Sequence, residues 1–232
     1  PMGHVLGHVK DLGKDYEDPM VRGYQTSARM KFHCDQCDYV GLLCLQTAKS
    51  GGSSLIASSI TVYNEMHKRR PDLAETLTKP FYFTKHGEVA PGEDPWYTMP
   101  VFAFYDGYLS IRSAGAHVRK SQNLPGVPKL TETDVEALEM FQEIAEEIYM
   151  PMEFEVGDIQ FLHNHVMMHT RTAFKDHKGA ERKRHLMRLW LTDPEGRPTP
   201  PGFRENISGI EVEGTVYTAP LDMLEGAGVD KK

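Results

Sequence analysis

The sequence predicts a mainly β (α+β) chain, a β-sandwich or jelly-roll core with helices packed outside it. Short apolar segments bounded by Gly, Pro, Asn and Asp recur through 31–45, 80–130 and 152–191. Helical periodicity is clear in one stretch, 131–148, and shorter in another near 59–70. Many strands and few helices favour a sheet-on-sheet core.

Taken in order, residues 1–30 mix Gly, Asp, Lys and Pro without a clear period and read as irregular structure or the remnant of a larger N-terminal layer. The run KFHCDQCDYVGLLCL at 31–45 reads as two extended segments, the second apolar enough to be buried on both faces. Gly51-Gly52 marks a turn. Ser58 or Ser59 caps a helix that runs through Val62 and Met66 to about Arg70, where Pro71 interrupts it and a short helical turn restarts. Residues 80–130, rich in Pro, Gly and aromatics, read as short strands and loops with a hairpin at Asp106-Gly107, and as a lid or substrate wall. Thr131 and Thr133, three residues before Asp134 and Glu136, give a capping-box pattern. Val135, Leu138, Phe141, Ile144, Ala145 and Ile148 form one apolar stripe behind it. MEFEVGDIQFLHN then reads as strand, Gly157-Asp158 turn, strand, and RHLMRLWL as a further strand.

The 232 residues, 40% of them hydrophobic, suffice for one substantial core, and residues 1–232 are expected to form a single domain. A formal charge of −7 argues against nucleic acid as the main partner and leaves small molecules. No stretch approaches the roughly 18 continuous apolar residues of a membrane span, and Pro1-Met2-Gly3-His4 lacks the layout of a secretion signal. A cytoplasmic protein without membrane contact is expected. Cys34, Cys37 and Cys44 are too few and too close for a disulfide framework. The oligomeric state, a homo-oligomer included, is left open.

The chemistry begins at His33-Cys34-Asp35. Side chains alternate along an extended segment, so His33 and Asp35 face one way and Cys34 the other. Two imidazoles and a carboxylate with open positions suit a mononuclear Fe(II) site. The second imidazole would come from His169, or else the ligand is one of the neighbouring His163, Asn164 and His165; strand parity does not choose among the histidines. Arg184 and Arg188 share a face with Leu186 and Trp190. Two cations among apolar neighbours need an anion, and arginine's planar fork suits a carboxylate. Each feature alone has a plainer reading: a surface His/Asp pair, hydrogen-bonded histidines, structural salt bridges. Cys34, Cys37, Cys44 and His33 also allow a structural zinc site, though one CxxC without a second pair is weak. Neither Gly-x-Ser-x-Gly nor His-Glu-x-x-His occurs, which disfavours a hydrolase. In the lid-like region, Tyr97, Met99, Phe102, Arg112 and His117 are candidate substrate contacts, with Arg112 either pairing with a substrate carboxylate or serving structure.

Together, HCDQCD, GLLCLQTAKSGGSSLIASS, GDIQFLHNHVMMHTRTAF and RKRHLMRLWL, in this order over about 31–192, resemble the Fe(II)- and 2-oxoglutarate-dependent taurine dioxygenase (TauD/TfdA-like) family. The resemblance implies a double-stranded β-helix with iron ligands at His33, Asp35 and His169. It implies that Arg184 pairs with the distal carboxylate of 2-oxoglutarate, that Ser54 shares that carboxylate in place of the commoner threonine, and that Arg188 serves the co-substrate pocket or an anionic group of the substrate. It further implies consumption of O2 and 2-oxoglutarate, giving succinate and CO2, with hydroxylation, desaturation or cyclisation of a small carboxylate- or amino-acid-like molecule. Asp35 retains the carboxylate that related halogenases lack. The runner-up is a non-catalytic small-molecule-binding or sensor module on the same barrel. Only 32 residues precede His33, fewer than the family usually carries, so an N-terminal truncation is expected.

Overall fold

Tyr39–Gln46 (β2) is the strand around which the larger sheet is built. In the computed structural model, which describes residues 6–16, 21–85, 89, 92–112, 115–193 and 195–203, Gly7–Val9 forms β1, Ser50–Gly51 β3 and Ser54–Ser58 β4. Helices Ser59–Arg69 (α1) and Pro71–Thr76 (α2) follow, then strands Pro80–Thr84 (β5), Trp96–Pro100 (β6), Phe102–Tyr105 (β7) and Tyr108–Ile111 (β8). After Ala116–Ser121 (α3) and Glu132–Ile148 (α4) come Met150–Met152 (β9), Ile159–His163 (β10), Met167–Arg171 (β11), Phe174–Lys175 (β12) and His185–Leu191 (β13). The larger sheet has the order β1-β13-β2-β10 and the smaller β11-β4-β9, with all pairs antiparallel.

Alternation assigns the faces. On the larger sheet Val9, Val40, Leu42, Cys44, Leu162 and Leu186 point inward, and they pack against Ile56 and Met167 of the smaller sheet. These contacts are the interior of a jelly roll. The opposite face of the smaller sheet, Leu55, Ala57 and Met168, packs on Val62 and Met66 of α1 and on Leu138, Phe141 and Ile144 of α4. Helices therefore cover one sheet from outside while its inner face is left for the site.

The helices begin where the sequence places them. Ser58 Oγ accepts from the Thr61 amide, and Pro71 opens α2. Thr131 and Asp134 form a reciprocal capping box at α4. The Asp106-Gly107 hairpin joins β7 to β8 with both residues at positive φ, 49° and 78°, as a two-residue turn requires. Two sequence readings need correction. The segment expected to be irregular at the start contains β1, whose backbone groups pair with β13. Residues 116–121, read as loop, are helical. Pro1–His4 and 204–232 lie outside the described residues. Among the described residues no helix is long and apolar enough to cross a membrane.

Candidate metal centre

His33 and His169 are brought together by the backbone. The His33 amide donates to His169 O at 3.0 Å and the His169 amide to His33 O at 2.8 Å, a closed bridge on the side of β11 opposite β4. Asp35 stands two residues along, its amide donating to Asn164 Oδ1 at 3.1 Å. Cys34, between them, points into the helix-side core. The potential donor atoms of His33, Asp35 and His169 all lie within 4.8 Å of one another, the one such cluster among the described residues.

The protonation states suit a divalent cation. His33 Nδ1 lies 2.9 Å from Lys31 O, a pure acceptor, so Nδ1 carries the proton and Nε2 is left as the ligand atom. His169 makes no side-chain hydrogen bond among the described residues: Nδ1 is buried without a partner, and Nε2 is 3.9 Å from Asp35 Oδ2. Burial pushes both imidazoles toward neutrality, His169 down to about 3. Burial opposes ionisation of Asp35, but the Arg188 charge, the two histidines and the Trp190 hydrogen bond outweigh it and hold the carboxyl at about 2. Two neutral imidazoles and an ionised carboxylate are the forms that bind a metal ion. Asp35 Oδ1 accepts from Arg188 Nη1 at 3.3 Å and Oδ2 from Trp190 Nε1 at 2.9 Å.

A buried cation lies deeper. Arg184 is 4% exposed and has no ion pair among the described residues. Its Nη2 donates to Gly52 O at 3.3 Å and its guanidinium lies 5.2 Å from the Phe174 ring centroid. Burial lowers its pKa, and the nearby Asp176 carboxylate, which accepts from the Arg184 amide at 2.8 Å, offsets this only in part. Gly52 makes room: it sits at φ +83°, and a Cβ there would stand 2.9 Å from Arg184 Nε. Ser54, buried on β4, donates to Gln160 Oε1 at 3.2 Å. His33, Asp35, Ser54, His169, Arg184 and Arg188 all line one cavity between the two sheets, about 1040 Å³ including the space open to solvent.

The cavity's remaining wall was not legible in the sequence. Gly23, Tyr24 and Met30 line it, and Arg171, two residues past His169 on β11, holds their segment in place. Its guanidinium donates to Ala28 O at 2.7 Å, to Gly23 O at 3.1 Å and to Thr26 O. Thr170 Oγ1 adds a bond to Met30 O at 2.8 Å. Tyr24 in turn lies 4.9 Å under the Arg188 guanidinium. The same parity that puts Arg184 and Arg188 on one face puts Arg171 beside His169, and that was the available signal.

Several sequence candidates fall elsewhere. Phe102 is fully buried against Phe141 and Tyr63. Tyr97 stacks on Phe83 and accepts from Gln36 Nε2 at 2.8 Å. Arg112 is 3% exposed and donates to Phe203 O at 3.3 Å. None of the three, nor Met99, lines the cavity, because alternation on β6 turns Tyr97 and Met99 into the helix-side core. Of the lid-like candidates His117 does line the cavity, together with Ala116 and Lys120, which the sequence reading did not single out. His165 is buried against Asp38, Nε2 to Oδ1 2.7 Å, and stands outside the cluster with His163. The thiols do not assemble a zinc site: Cys34 lies in one apolar cluster, Cys37 and Cys44 in the other.

A family model described as taurine catabolism dioxygenase TauD, TfdA family, matches residues 3–190. FR-33289 synthase of Streptomyces rubellomurinus is 34% identical over 218 residues, 90% of this chain and 63% of that protein. Taurine hydroxylase-like protein SAT17 of Stachybotrys chartarum is 34% identical over 218 residues, 88% of this chain and 55% of its own. The chain thus spans between half and two thirds of the length of these relatives. Asparagine oxygenase, solved with Fe(II), 2S,3S-3-hydroxyasparagine and succinate, superposes with a TM-score of 0.60 at 20% identity, covering 81% of this chain and 56% of that one. At that identity the likeness shows the shared fold.

Proposed function

Since the chain belongs to the TauD/TfdA family, we propose that it is an Fe(II)- and 2-oxoglutarate-dependent oxygenase, and that His33, Asp35 and His169 hold the iron. The observation that carries this reading is the meeting, in one cavity, of that cluster and the buried Arg184, which has no ion pair among the described residues. Ser54 and Arg184 would take the distal carboxylate of 2-oxoglutarate, Arg184 by charge-assisted hydrogen bonds and Ser54 by its hydroxyl. Both lie on the inner faces of the sheets, where little water competes.

When bound, iron would activate O2 for attack on a C–H bond, with 2-oxoglutarate supplying two of the four electrons that O2 takes up as that co-substrate is converted to succinate and CO2. The chain's own residues do the rest. Asp35 stays ionised and oriented by Arg188 and Trp190, while His33 is fixed in one tautomer by Lys31 O. The 23–30 wall closes the cavity over them.

The substrate is a small molecule bearing a carboxylate or an amino-acid-like headgroup. Support comes from the basic groups lining the cavity and from asparagine oxygenase, whose structure holds a hydroxylated amino acid. Hydroxylation, desaturation and cyclisation share the same removal of a hydrogen. The test is succinate formation from 2-oxoglutarate by the full chain with Fe(II) under air. Succinate that needs Fe(II) and disappears in His33→Ala supports the reading. No succinate from folded, metal-loaded protein, with or without candidate substrates, contradicts it.

A further inference from the structure

The geometry points to Trp190 as a positioning residue for the metal centre: its indole N–H fixes the rotation of the Asp35 carboxylate and so sets the affinity for the metal. This inference rests on the iron reading above. Asp35 carries two equivalent oxygens on a carboxylate that rotates about a single bond, so which of them faces a metal depends on the donors around it. The backbone bridge fixes the spacing of the two histidine residues, and Lys31 O orients the His33 ring. Two contacts restrain the carboxylate. Trp190 Nε1 donates to Oδ2 at 2.9 Å, within good hydrogen-bond range, and Arg188 reaches Oδ1 at 3.3 Å, a longer contact.

The indole is positioned by its strand and by Arg188. Its strand pairs Trp190 with Val40 of β2 in the middle of the larger sheet. The Arg188 guanidinium lies 4.6 Å from its ring centroid, and Tyr24 lies 4.9 Å from the same guanidinium on the cavity wall. Tyr24, Arg188 and Trp190 thus line up beside Asp35. Trp190 is the member whose donor is aimed at the carboxylate with no other acceptor among the described residues. A donor to a metal-ligating carboxylate acts by holding the ligand in its binding orientation, and loss of such partners typically weakens metal affinity about 10- to 100-fold.

Trp190→Phe removes the donor and keeps an aromatic ring for Arg188. Anaerobic calorimetric titration with Co(II), without 2-oxoglutarate, should give a Kd about 10- to 100-fold above that of the parent chain. Circular dichroism establishes that the variant is folded. A second arm needs no change at position 190. The chain has two tryptophans, Trp96 and Trp190. In Trp96→Phe the remaining emission should change on adding Zn(II), a closed-shell ion that does not itself quench. That change should vanish when His169→Ala is added.

Equal Co(II) affinity in parent and Trp190→Phe overturns the role of Trp190. So does an emission indifferent to Zn(II) that calorimetry shows to be bound. A parent that binds no divalent metal overturns the iron reading and this inference with it.

Discussion

Replacing Arg184 by Met should separate ligand binding from stability. Arg184 is 4% exposed, with a carbonyl and an aromatic ring for company and no carboxylate in ion-pair range among the described residues. Its charge is desolvated and only partly offset by Asp176, which makes no side-chain ion pair with it among the described residues, so the folded chain gains little from it before the co-substrate arrives. Met fills a similar volume, recovers the desolvation cost and loses one hydrogen bond of 3.3 Å to Gly52 O. A bond from a charged donor is worth about 1.5–3 kcal/mol, and the recovered desolvation offsets most of it, so stability should stay within about 1–2 kcal/mol of the parent. Binding behaves differently. Truncating one partner of a buried, hydrogen-bonded charge pair costs about 2–5 kcal/mol, which is about 30- to 4,000-fold in Kd at 1.4 kcal/mol per decade. The assay is anaerobic titration of 2-oxoglutarate into the Fe(II)-loaded chain, beside urea unfolding without ligand. Parental 2-oxoglutarate affinity in Arg184→Met would refute the assignment. A loss of several kcal/mol in unfolding, with binding unchanged, would show that Arg184 is a structural residue.

Other perturbations follow from the same geometry. Gly52→Ala places a Cβ at φ +83° and 2.9 Å from Arg184 Nε; it should cost about 1–2 kcal/mol from the backbone alone and raise the 2-oxoglutarate Kd, and an unchanged Kd would mean Arg184 does not need that space. Arg171→Met removes three carbonyl contacts, which should cost about 3 kcal/mol and speed hydrogen exchange at the Thr26 and Met30 amides; protected amides would sink the clamp. Thr131→Ala removes the α4 cap and should cost about 1 kcal/mol while leaving 2-oxoglutarate affinity alone. His185, hydrogen-bonded to His8 at 2.8 Å, is lowered to about 4 by burial and by Lys10 and His8. A folded pKa below the unfolded one means that the unfolded chain binds more protons, so this contribution is present above pH 6.5 and is lost as pH falls toward about 4. His185→Gln should therefore flatten the acid side of the stability profile, and an identical profile would refute it.

How much could be read in advance depended on where the information lay. The Ser58 cap, the Thr131–Asp134 capping box, the Pro71 break and the Asp106-Gly107 hairpin are local, and the chain adopts them. Parity suggested that Arg184 and Arg188 share a face; Arg188 is on β13, while Arg184 precedes it across a register shift at His185/Leu186, and both nevertheless line the cavity. His169 needed more. His163, His165 and His169 share a parity, and only the backbone bridge to His33, a contact across 136 residues, separates them. His165 is drawn off by Asp38. Tyr97, Phe102 and Arg112 are placed away from the cavity for a similar reason, whereas His117 lines it. Tyr97, Phe102 and Arg112 look like pocket residues because they are aromatic or charged in a loop-rich stretch, yet they pack into the helix-side core. Nothing local reports which of two cores a side chain enters. Arg171 and the 23–30 wall escape notice because carbonyl acceptors carry no sequence signature.

The most direct measurement is the visible spectrum of the full chain with Fe(II) and 2-oxoglutarate under argon, repeated for His169→Ala and Arg184→Ala. The account predicts a weak metal-to-ligand charge-transfer band in the parent, lost in His169→Ala and shifted to higher 2-oxoglutarate concentration in Arg184→Ala. A folded, iron-loaded parent with no such band, or variants whose band matches the parent's, would contradict it.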